Sequence, residues 1–188
     1  MAEQRRMKPR QPPKPPTQER LEKAALHYLE RYAASSEGVR RVLMRKVERA
    51  VRAGVGDKAQ GAADVAAVID KLLARKLVDD SVFAEGRALS LARRGLPRSQ
   101  IVQRLRIKGV DGDEVEKALA ALDEAGISDR TAAILFAKRK RLGPFCTNAA
   151  VRKDQRLRHM AAMARAGFDG NLARMVLDAP NPEALEAG

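Results

Sequence analysis

Apolar residues recur at three- and four-residue spacing along most of the chain, which is the pattern of amphipathic α-helices. Sustained alternation of β-branched and polar residues, which would indicate strands, occurs in no segment. The abundance of Ala, Leu, Arg, Lys and Glu also favours helix. We therefore predict an all-α fold.

Residues 77–110, LVDDSVFAEGRALSLARRGLPRSQIVQRLRIKGV, carry the clearest helix start and stop signals. Short polar side chains at a helix start accept hydrogen bonds from N–H groups that lack an intrahelical partner. Gly95 and Gly109 suit the positions that end a helix, and Pro97 suits a first helical turn. Two helices are predicted here. The polar residues before the first of them are Asp79, Asp80 and Ser81.

The same signals predict about nine helices in the whole chain. Ser35 and Ser36 are candidate N-caps, and Asp111 with Glu114 has the spacing of a capping box. Outside residues 77–110, the predicted helices run from Gln18 to about Tyr32, through Val39–Val51, through Val65–Lys76, through Val115–Leu122, from Ser128 to the cluster Lys138–Arg141, from about Ala149 to Ala166, and through Leu172–Leu177.

Matching apolar spacings divide these helices into three triplets, in residues 18–78, 79–126 and 127–180. Gly167 stands at the break of the last triplet as Gly109 does in the middle one. A triplet of this length has little core of its own, so neighbouring triplets are expected to stack into an elongated, curved array. Residues 181–188 are predicted to be a C-terminal tail.

Residues 1–17 combine five basic residues with five prolines. Such a segment can neither bury a core nor continue a helix, so we predict a disordered basic tail. It either contacts phosphates or serves as a solubilising extension.

The net charge of +13 lies mainly in the terminal parts of the chain. Residues 1–17, 18–78, 79–126 and 127–188 carry +4, +5, −1 and +5, respectively. Such an excess attracts nucleic acid, an acidic protein surface or anionic lipid, although it also serves solubility alone.

A single cysteine, Cys146, excludes an internal disulfide and a cysteine-built zinc site. No apolar run is long enough to span a bilayer, and the N-terminus lacks the apolar core of a secretion signal. We expect a cytoplasmic, monomeric protein that does not bind membranes.

Residues that would carry catalysis are few. Glycine-rich phosphate loops and the HExxH and GxSxG motifs are absent from the sequence. His27 and His159 lie beside apolar stripes and are expected to be ordinary partly buried or surface residues. Asp79 and Asp80 would need further carboxylates to hold Mg²⁺ for a nuclease, so helix capping is the preferred role. We expect neither enzymatic activity nor a cofactor.

Basic residues form two clusters that could bind a polyanion or an acidic protein, since guanidinium groups pair with carboxylates and phosphates alike. The second cluster has fewer acidic neighbours and is the stronger candidate. The first consists of Arg87, Arg94, Arg98, Arg104, Arg106 and Lys108, and the second of Lys138, Arg139, Lys140 and Arg141, with Arg152, Lys153, Arg156 and Arg158 expected opposite.

Three segments give the chain a resemblance to the RecX family, regulators of the RecA recombinase. Residues 77–84, LVDDSVFA, resemble the family signature glldDxxfA, and residues 105–110, LRIKGV, resemble its LxxKGi element. Residues 28–43 resemble the start of the first repeat. The resemblance covers about residues 24–122 and is weak in the third triplet.

The resemblance implies tandem three-helix repeats, in agreement with the triplets. It also implies binding along RecA–DNA filaments and inhibition of ATP hydrolysis, strand exchange and the co-protease activity that induces the SOS response. It supplies no catalytic residues. On this basis Asp79, Asp80, Phe83, Gly109 and Gly167 are expected to be structural.

Two alternatives remain. A direct DNA-binding module is one, because the turn at Gly109 between two short helices resembles a helix-turn-helix, although the acidic residues after it oppose entry into a groove. A metal-dependent nuclease that uses Asp79 and Asp80 is the other.

Overall fold

The computed structural model describes residues 14–147 and 149–186. None of these residues lies in a strand, which confirms the all-α prediction. The helices are α1 (Gln18–Leu29), α2 (Ser36–Arg52), α3 (Lys58–Ala74), α4 (Asp80–Arg93), α5 (Arg98–Ile107), α6 (Gly112–Glu124), α7 (Asp129–Lys140), α8 (Ala149–Asp154), α9 (Arg156–Arg165), α10 (Gly170–Asp178) and α11 (Glu183–Glu186), with a 3₁₀ turn over Gly143–Phe145.

The chain divides into two compact units, residues 1–79 and 80–188. In the first, α1, α2 and α3 enclose a core that contains Val39, Leu43 and Val47 from α2 and Val65 and Val68 from α3, all fully buried. These are the apolar stripes that the sequence predicted. They are buried because three- and four-residue spacing places them on one side of each helix.

Two core clusters lie within the second unit. One is enclosed by α4, α5 and α6 and includes Leu91, Ile101 and Leu105. The other is built mainly by α7, α9 and α10 and includes Met163 and Val176. The division of the chain at residue 126 into separate repeats stays a prediction, because both clusters belong to one compact unit.

Several predicted caps are present. The Ser35 side chain accepts a hydrogen bond from Gly38 N at 3.1 Å, and Asp111 accepts one from Glu114 N at 3.1 Å. The reciprocal half of the predicted capping box is missing. One carboxylate oxygen of Glu114 binds Lys117 at 3.2 Å, and the other has no hydrogen-bond partner among the described residues.

Gly109 and Gly167 end α5 and α9 in the left-handed conformation, at φ 78° and 86°. After each glycine the next N–H donates to a carbonyl five residues back, from Val110 to Leu105 and from Phe168 to Met163, at 3.2 Å. This hydrogen bond satisfies a carbonyl group at the C-terminal end of each helix, and the chain then turns back towards its core. The two predicted stop positions are confirmed.

The structure corrects the helix prediction in the third triplet and at two helix starts. The helix predicted over residues 149–166 is divided into α8 and α9 at Gln155, where no glycine or proline indicates a break. Ser81 lies inside α4, where its hydroxyl donates to Glu85 at 3.5 Å. Pro97 is the N-cap of α5 and not its first helical residue.

Both predicted tails contribute residues to the fold. Residues 1–13 lie outside the described part of the chain, but residues 14–17 run against the first turn of α1, where Arg20 donates to the Pro15 carbonyl at 3.1 Å. At the other end, α11 places Leu185 in the core of the third cluster with 4% exposure. A helix of four residues is too short to show helical periodicity in the sequence, so the burial of this apolar residue was not predicted.

Candidate functional site

Residues 94–99 contact the α7–α10 region, and this contact joins the two halves of the second unit. Gly95 has a left-handed backbone, at φ 73°, and is packed so closely on α7 that a Cβ atom there would lie 2.9 Å from Phe136 N. On the other side, the Ser99 hydroxyl donates to the Gly167 carbonyl at 3.3 Å. Gly167 therefore has a second role besides ending α9.

Arg98 crosses this contact with its backbone N–H, while its side chain binds α6 and the segment that follows α6. Its guanidinium donates through both terminal nitrogens to the Asp123 carboxylate, at 3.0 Å for Nη1 to Oδ2, and one of them also reaches the Ile127 carbonyl. Its backbone N–H donates to Asp129 at 2.8 Å. Hydrogen bonding by Arg98 lowers the pKa of Asp123, and the same bond raises the pKa of Arg98. One predicted binding residue thus serves intramolecular packing.

Arg139 makes a second link across the same contact. Its Nη1 donates to the Arg94 carbonyl at 2.6 Å, and its guanidinium lies 5.7 Å from the centroid of the Phe136 ring. A cation over an aromatic face is attracted by the negative charge of that face. Arg139 therefore stabilises the fold through contacts within the chain, although it belongs to the basic run Lys138–Arg141.

Arg152 and Arg156 bind the C-terminal end of α10. Arg152 donates to the carbonyls of Leu177, Ala179 and Pro180, which lack intrahelical partners at a helix end. Arg156 makes two bonds to the Asp178 carboxylate, at 2.8 and 2.6 Å, and these hydrogen bonds lower the pKa of Asp178. The prediction that the two arginines lie opposite Lys138–Arg141 stays a prediction, and their guanidinium groups bind the C-terminal end of α10.

His159 is buried beneath these arginines, with 6% exposure. Its Nδ1 accepts a hydrogen bond from Gly143 N at 3.2 Å, so this nitrogen carries no proton and the imidazole is neutral. Burial lowers the pKa of His159, and the nearby charges of Arg158 and Arg152 lower it further. The side chain lines a pocket of about 340 Å³ together with Arg152, Lys153, Arg156 and Asp178.

The remaining predicted basic residues are mostly on the surface. Arg87 is half-buried, and its Nε has no hydrogen-bond partner among the described residues. Arg94 and Lys108 are exposed. A further group is exposed and forms no ion pair within the described ranges, which leaves its charges available to a partner. This group consists of Arg104, Arg106, Lys138, Lys140, Arg141, Lys153 and Arg158.

The acidic pair of the nuclease alternative occupies a helix start. α4 begins at Asp80, Asp79 precedes it, and Phe83 packs against the core of α4, α5 and α6. Within the described part of the chain, no three His, Cys, Asp or Glu side chains are grouped so that they could hold a metal ion. Nor is any described helix long and apolar enough to cross a bilayer.

A cationic pocket in the first unit was missed from the sequence. It lies at the start of α1 and is lined by basic residues from α1, α2 and the segment before α1. The signal was present in the +5 charge of residues 18–78 and in the basic stretch RKVERAVR of α2. The basic residues are Lys14, Arg20, Lys46 and Arg49.

Residues 79–119 match a family described as "RecX, second three-helix domain". A protein of Myxococcus xanthus (strain DK1622) named "Regulatory protein RecX" is 41% identical over 162 residues, which is 86% of this chain and 86% of the relative. Proteins of the same name from Agrobacterium fabrum (strain C58 / ATCC 33970) and Mycobacterium avium (strain 104) are each 32% identical, over 58% and 57% of this chain and 56% and 60% of their own.

A solved structure described as "Crystal structure of regulatory protein RecX" superposes with a TM-score of 0.58 and 17% sequence identity. The match covers 86% of this chain and 71% of the other. At this identity the likeness concerns the fold alone, and it agrees with an all-helical chain of three-helix domains.

Proposed function

The chain belongs to the RecX family of regulatory proteins, and from that premise we propose that it binds RecA–DNA filaments and restrains the recombinase. The proposed effects are inhibition of ATP hydrolysis, strand exchange and co-protease activity, and so modulation of DNA repair and the SOS response. The observation that carries the proposal is the 41% identity to a regulatory protein RecX over 86% of both chains. The protein acts by binding, without a catalytic residue or cofactor, in the cytoplasm.

Exposed basic residues of the second unit that form no ion pair in the described ranges, called the unpaired cations below, support this mode of action. Arg104 and Arg106 lie in the last turn of α5, and Lys138, Lys140 and Arg141 lie at the end of α7. All five are exposed and make no ion pair in the described ranges. Their charges suit the carboxylates of an acidic protein surface or the phosphates of the filament's DNA.

Arg98, Arg139, Arg152 and Arg156 have a different part in the proposal. Their guanidinium groups are occupied by carboxylates and helix-end carbonyls of the same chain. These four arginines hold in place the helices that carry the unpaired cations. They do not themselves contact the partner. A rigid surface loses little conformational entropy on binding.

A filament offers the same contact on successive protomers. When one contact has formed, a second one is intramolecular and benefits from a high effective concentration, so weak individual contacts can sum to firm binding. This favours a monomeric regulator that contacts more than one RecA protomer over a regulator that must first dimerise.

The test is the DNA-dependent ATPase of RecA, titrated with the full chain. We expect ATP hydrolysis to fall as the protein is added, in parallel with its co-sedimentation with RecA–DNA filaments. The matched control is the same titration with heat-denatured protein. Saturating co-sedimentation without inhibition would contradict the regulatory part of the proposal, and failure to co-sediment would contradict the binding part.

A further inference from the structure

A solvent-open pocket of about 210 Å³ lies in the first unit, beside the first turn of α1. It is smaller than the pockets of about 300–1,000 Å³ that hold drug-sized ligands, and so it suits a small group. Every charged residue in its lining is basic. These residues are Lys14, Arg20, Lys46 and Arg49.

The segment before α1 forms one wall of the pocket. Arg20 Nη1 donates to the Pro15 carbonyl at 3.1 Å, which ties the segment to the helix. Pro16 packs against Gly56, where a Cβ atom would lie 3.0 Å from its Cδ. Proline rings fix φ, so the wall is stiff before any ligand arrives.

The second half of α2 forms the opposite wall. Val47 and Ala50 are buried in the core, and this leaves Lys46 and Arg49 exposed at the edge of the helix. Glu48 lies between them in sequence but not in space. Successive residues are about 100° apart around a helix, so Glu48 is directed about 160° away from Lys46.

The acidic residues of the first unit that form ion pairs are not part of the pocket lining. Glu19 binds Lys23 at 2.6 Å, and Glu22 binds Lys71 and Arg75, the latter at 3.5 Å. The pocket therefore gathers four positive charges without a carboxylate in its lining. The Glu19 carboxylate lies within electrostatic reach of Arg20. Lys14, Lys46 and Arg49 form no ion pair in the described ranges, so an anion from outside the chain would relieve their mutual repulsion.

Helix α1 adds to the same field. Its N-cap residue, Thr17, makes no side-chain capping bond. The first N–H groups of a helix carry partial positive charge and attract anions. This end of α1 adjoins the four cationic side chains, since Arg20 and Leu21 from its first turns line the pocket.

We propose that this pocket binds one phosphodiester group of a nucleic acid strand. A strand fits better than a single phosphate because Arg45 and Arg52, both exposed, continue the positive charge along α2 on either side of Lys46 and Arg49. Seven residues of helix span about 10 Å, enough for neighbouring phosphates of one strand. No aromatic residue lines the pocket, so binding is independent of base sequence.

This site is independent of the recombinase contact proposed above, because it lies in the other unit and is tested without RecA. The probe is a fluorescent single-stranded dT oligonucleotide, with fluorescence anisotropy measured against the full chain over a range of salt concentrations. The variant is Lys46→Ala with Arg49→Ala. The control is Arg31→Ala with Arg41→Ala, which removes two charges from the same unit outside the pocket lining.

We expect the pocket variant to bind the oligonucleotide at least about tenfold more weakly than the wild type. Each lost phosphate contact lowers the salt slope by about 0.7 for a single strand, so two lower it by about 1.4. The control should change affinity less than about twofold, and Arg49→Lys should retain most of it. Circular dichroism checks that both double variants keep their helix content.

Equal losses in the pocket variant and the control would overturn the site, because the effect would then follow net charge alone. Inorganic phosphate that competes at the oligonucleotide's own concentration would overturn the strand assignment in favour of a single-anion site. Tighter binding to vesicles containing phosphatidylserine than to the oligonucleotide would assign the pocket to a membrane instead. None of these outcomes bears on inhibition of the RecA ATPase.

Discussion

Gly95 lies against the backbone of Phe136, so that a Cβ atom on the glycine would come within 2.9 Å of the Phe136 nitrogen and 3.1 Å of the Ala132 carbonyl oxygen. Backbone atoms of a helix cannot move aside as a flexible side chain can. Gly95 also has φ 73°, a conformation that costs an L-residue about 1–2 kcal/mol. Both effects act at the contact that joins the two halves of the second unit.

The substitution Gly95→Ala should therefore lower the free energy of unfolding of residues 80–188 by about 2 kcal/mol or more. Hydrogen exchange of the α5 and α7 amides in the full chain measures the effect locally. Gly86→Ala is the matched control, since Gly86 is inside α4 and a Cβ atom there meets nothing within 4 Å. That change should stabilise the helix by about 0.5–1 kcal/mol. Equal effects of the two substitutions would contradict this packing.

A comparable close approach packs α2 against α3 in the first unit. A Cβ atom on Gly61 would overlap Cγ1 of Val47, a fully buried side chain. Gly61→Ala should destabilise this unit by about 1–3 kcal/mol through overpacking. Val47→Ala empties the same space. The double variant should therefore be destabilised by about 1 kcal/mol less than the sum of the losses in the two single variants. Urea denaturation followed by hydrogen exchange of α3 amides measures the cycle, and strict additivity would argue against the contact.

The free energy of unfolding should decrease as the pH is lowered below neutral, because His159 then becomes protonated. Burial and the charges of Arg158 and Arg152 lower its pKa in the folded chain below the unfolded value of about 6.5, so the unfolded state binds the proton more readily. The stabilisation is therefore complete above about pH 6.5 and is lost as the pH falls below that value. Protonation also removes the acceptor for Gly143 N. Denaturant unfolding at pH 7.5 and 5.0 measures the loss.

The variant His159→Asn should reduce this pH dependence, and His27→Asn, at an exposed histidine, is the comparison variant. The carboxylates of Asp123 and Asp178 do not obscure the effect. Their pKa values are lowered from about 3.8 by the arginines that bind them, so their stabilisation is lost only as the pH falls below about 4. A wild-type stability that does not change between pH 7.5 and 5.0 would show that the imidazole is not held neutral.

Charge reversal should locate the surface that contacts the recombinase. Lys138→Glu with Lys140→Glu alters exposed cations at the end of α7 and leaves Arg139 in place on Arg94 and Phe136. We expect about tenfold more of this variant to be needed for half-inhibition of the RecA ATPase, on the order of 1.4 kcal/mol of binding. Arg104→Glu with Arg106→Glu is the comparison and should have the smaller effect. The reverse order would move the contact to α5, and two unaffected titrations would exclude both surfaces.

Helix faces were predictable because their determinants are local. The stripe Val39, Leu43 and Val47 depends only on three- and four-residue spacing, and the cap at Ser35 depends on a residue three positions away. The division of the predicted helix over residues 149–166 was not predictable in this way. Its two parts are held by Arg152 and Arg156 against α10, more than twenty residues further along the chain.

The candidate binding residues were predictable as a charge excess but not one by one. A cation contacts a partner only if no nearer acceptor within its own chain occupies it. Arg98 finds Asp123, which is 25 residues away, whereas Arg104 on the same helix forms no ion pair among the described residues. Nothing in the sequence around either arginine distinguishes them.

The sequence by itself determined the class of fold, the buried face of each helix, most helix ends and the family, because short-range spacing and motif order encode them. Only the tertiary structure decided which arginines are structural, why Gly95 has no room for a side chain, and that Lys14, Arg20, Lys46 and Arg49 share one pocket. These depend on distances between residues far apart in sequence, and such distances are set by how the helices pack.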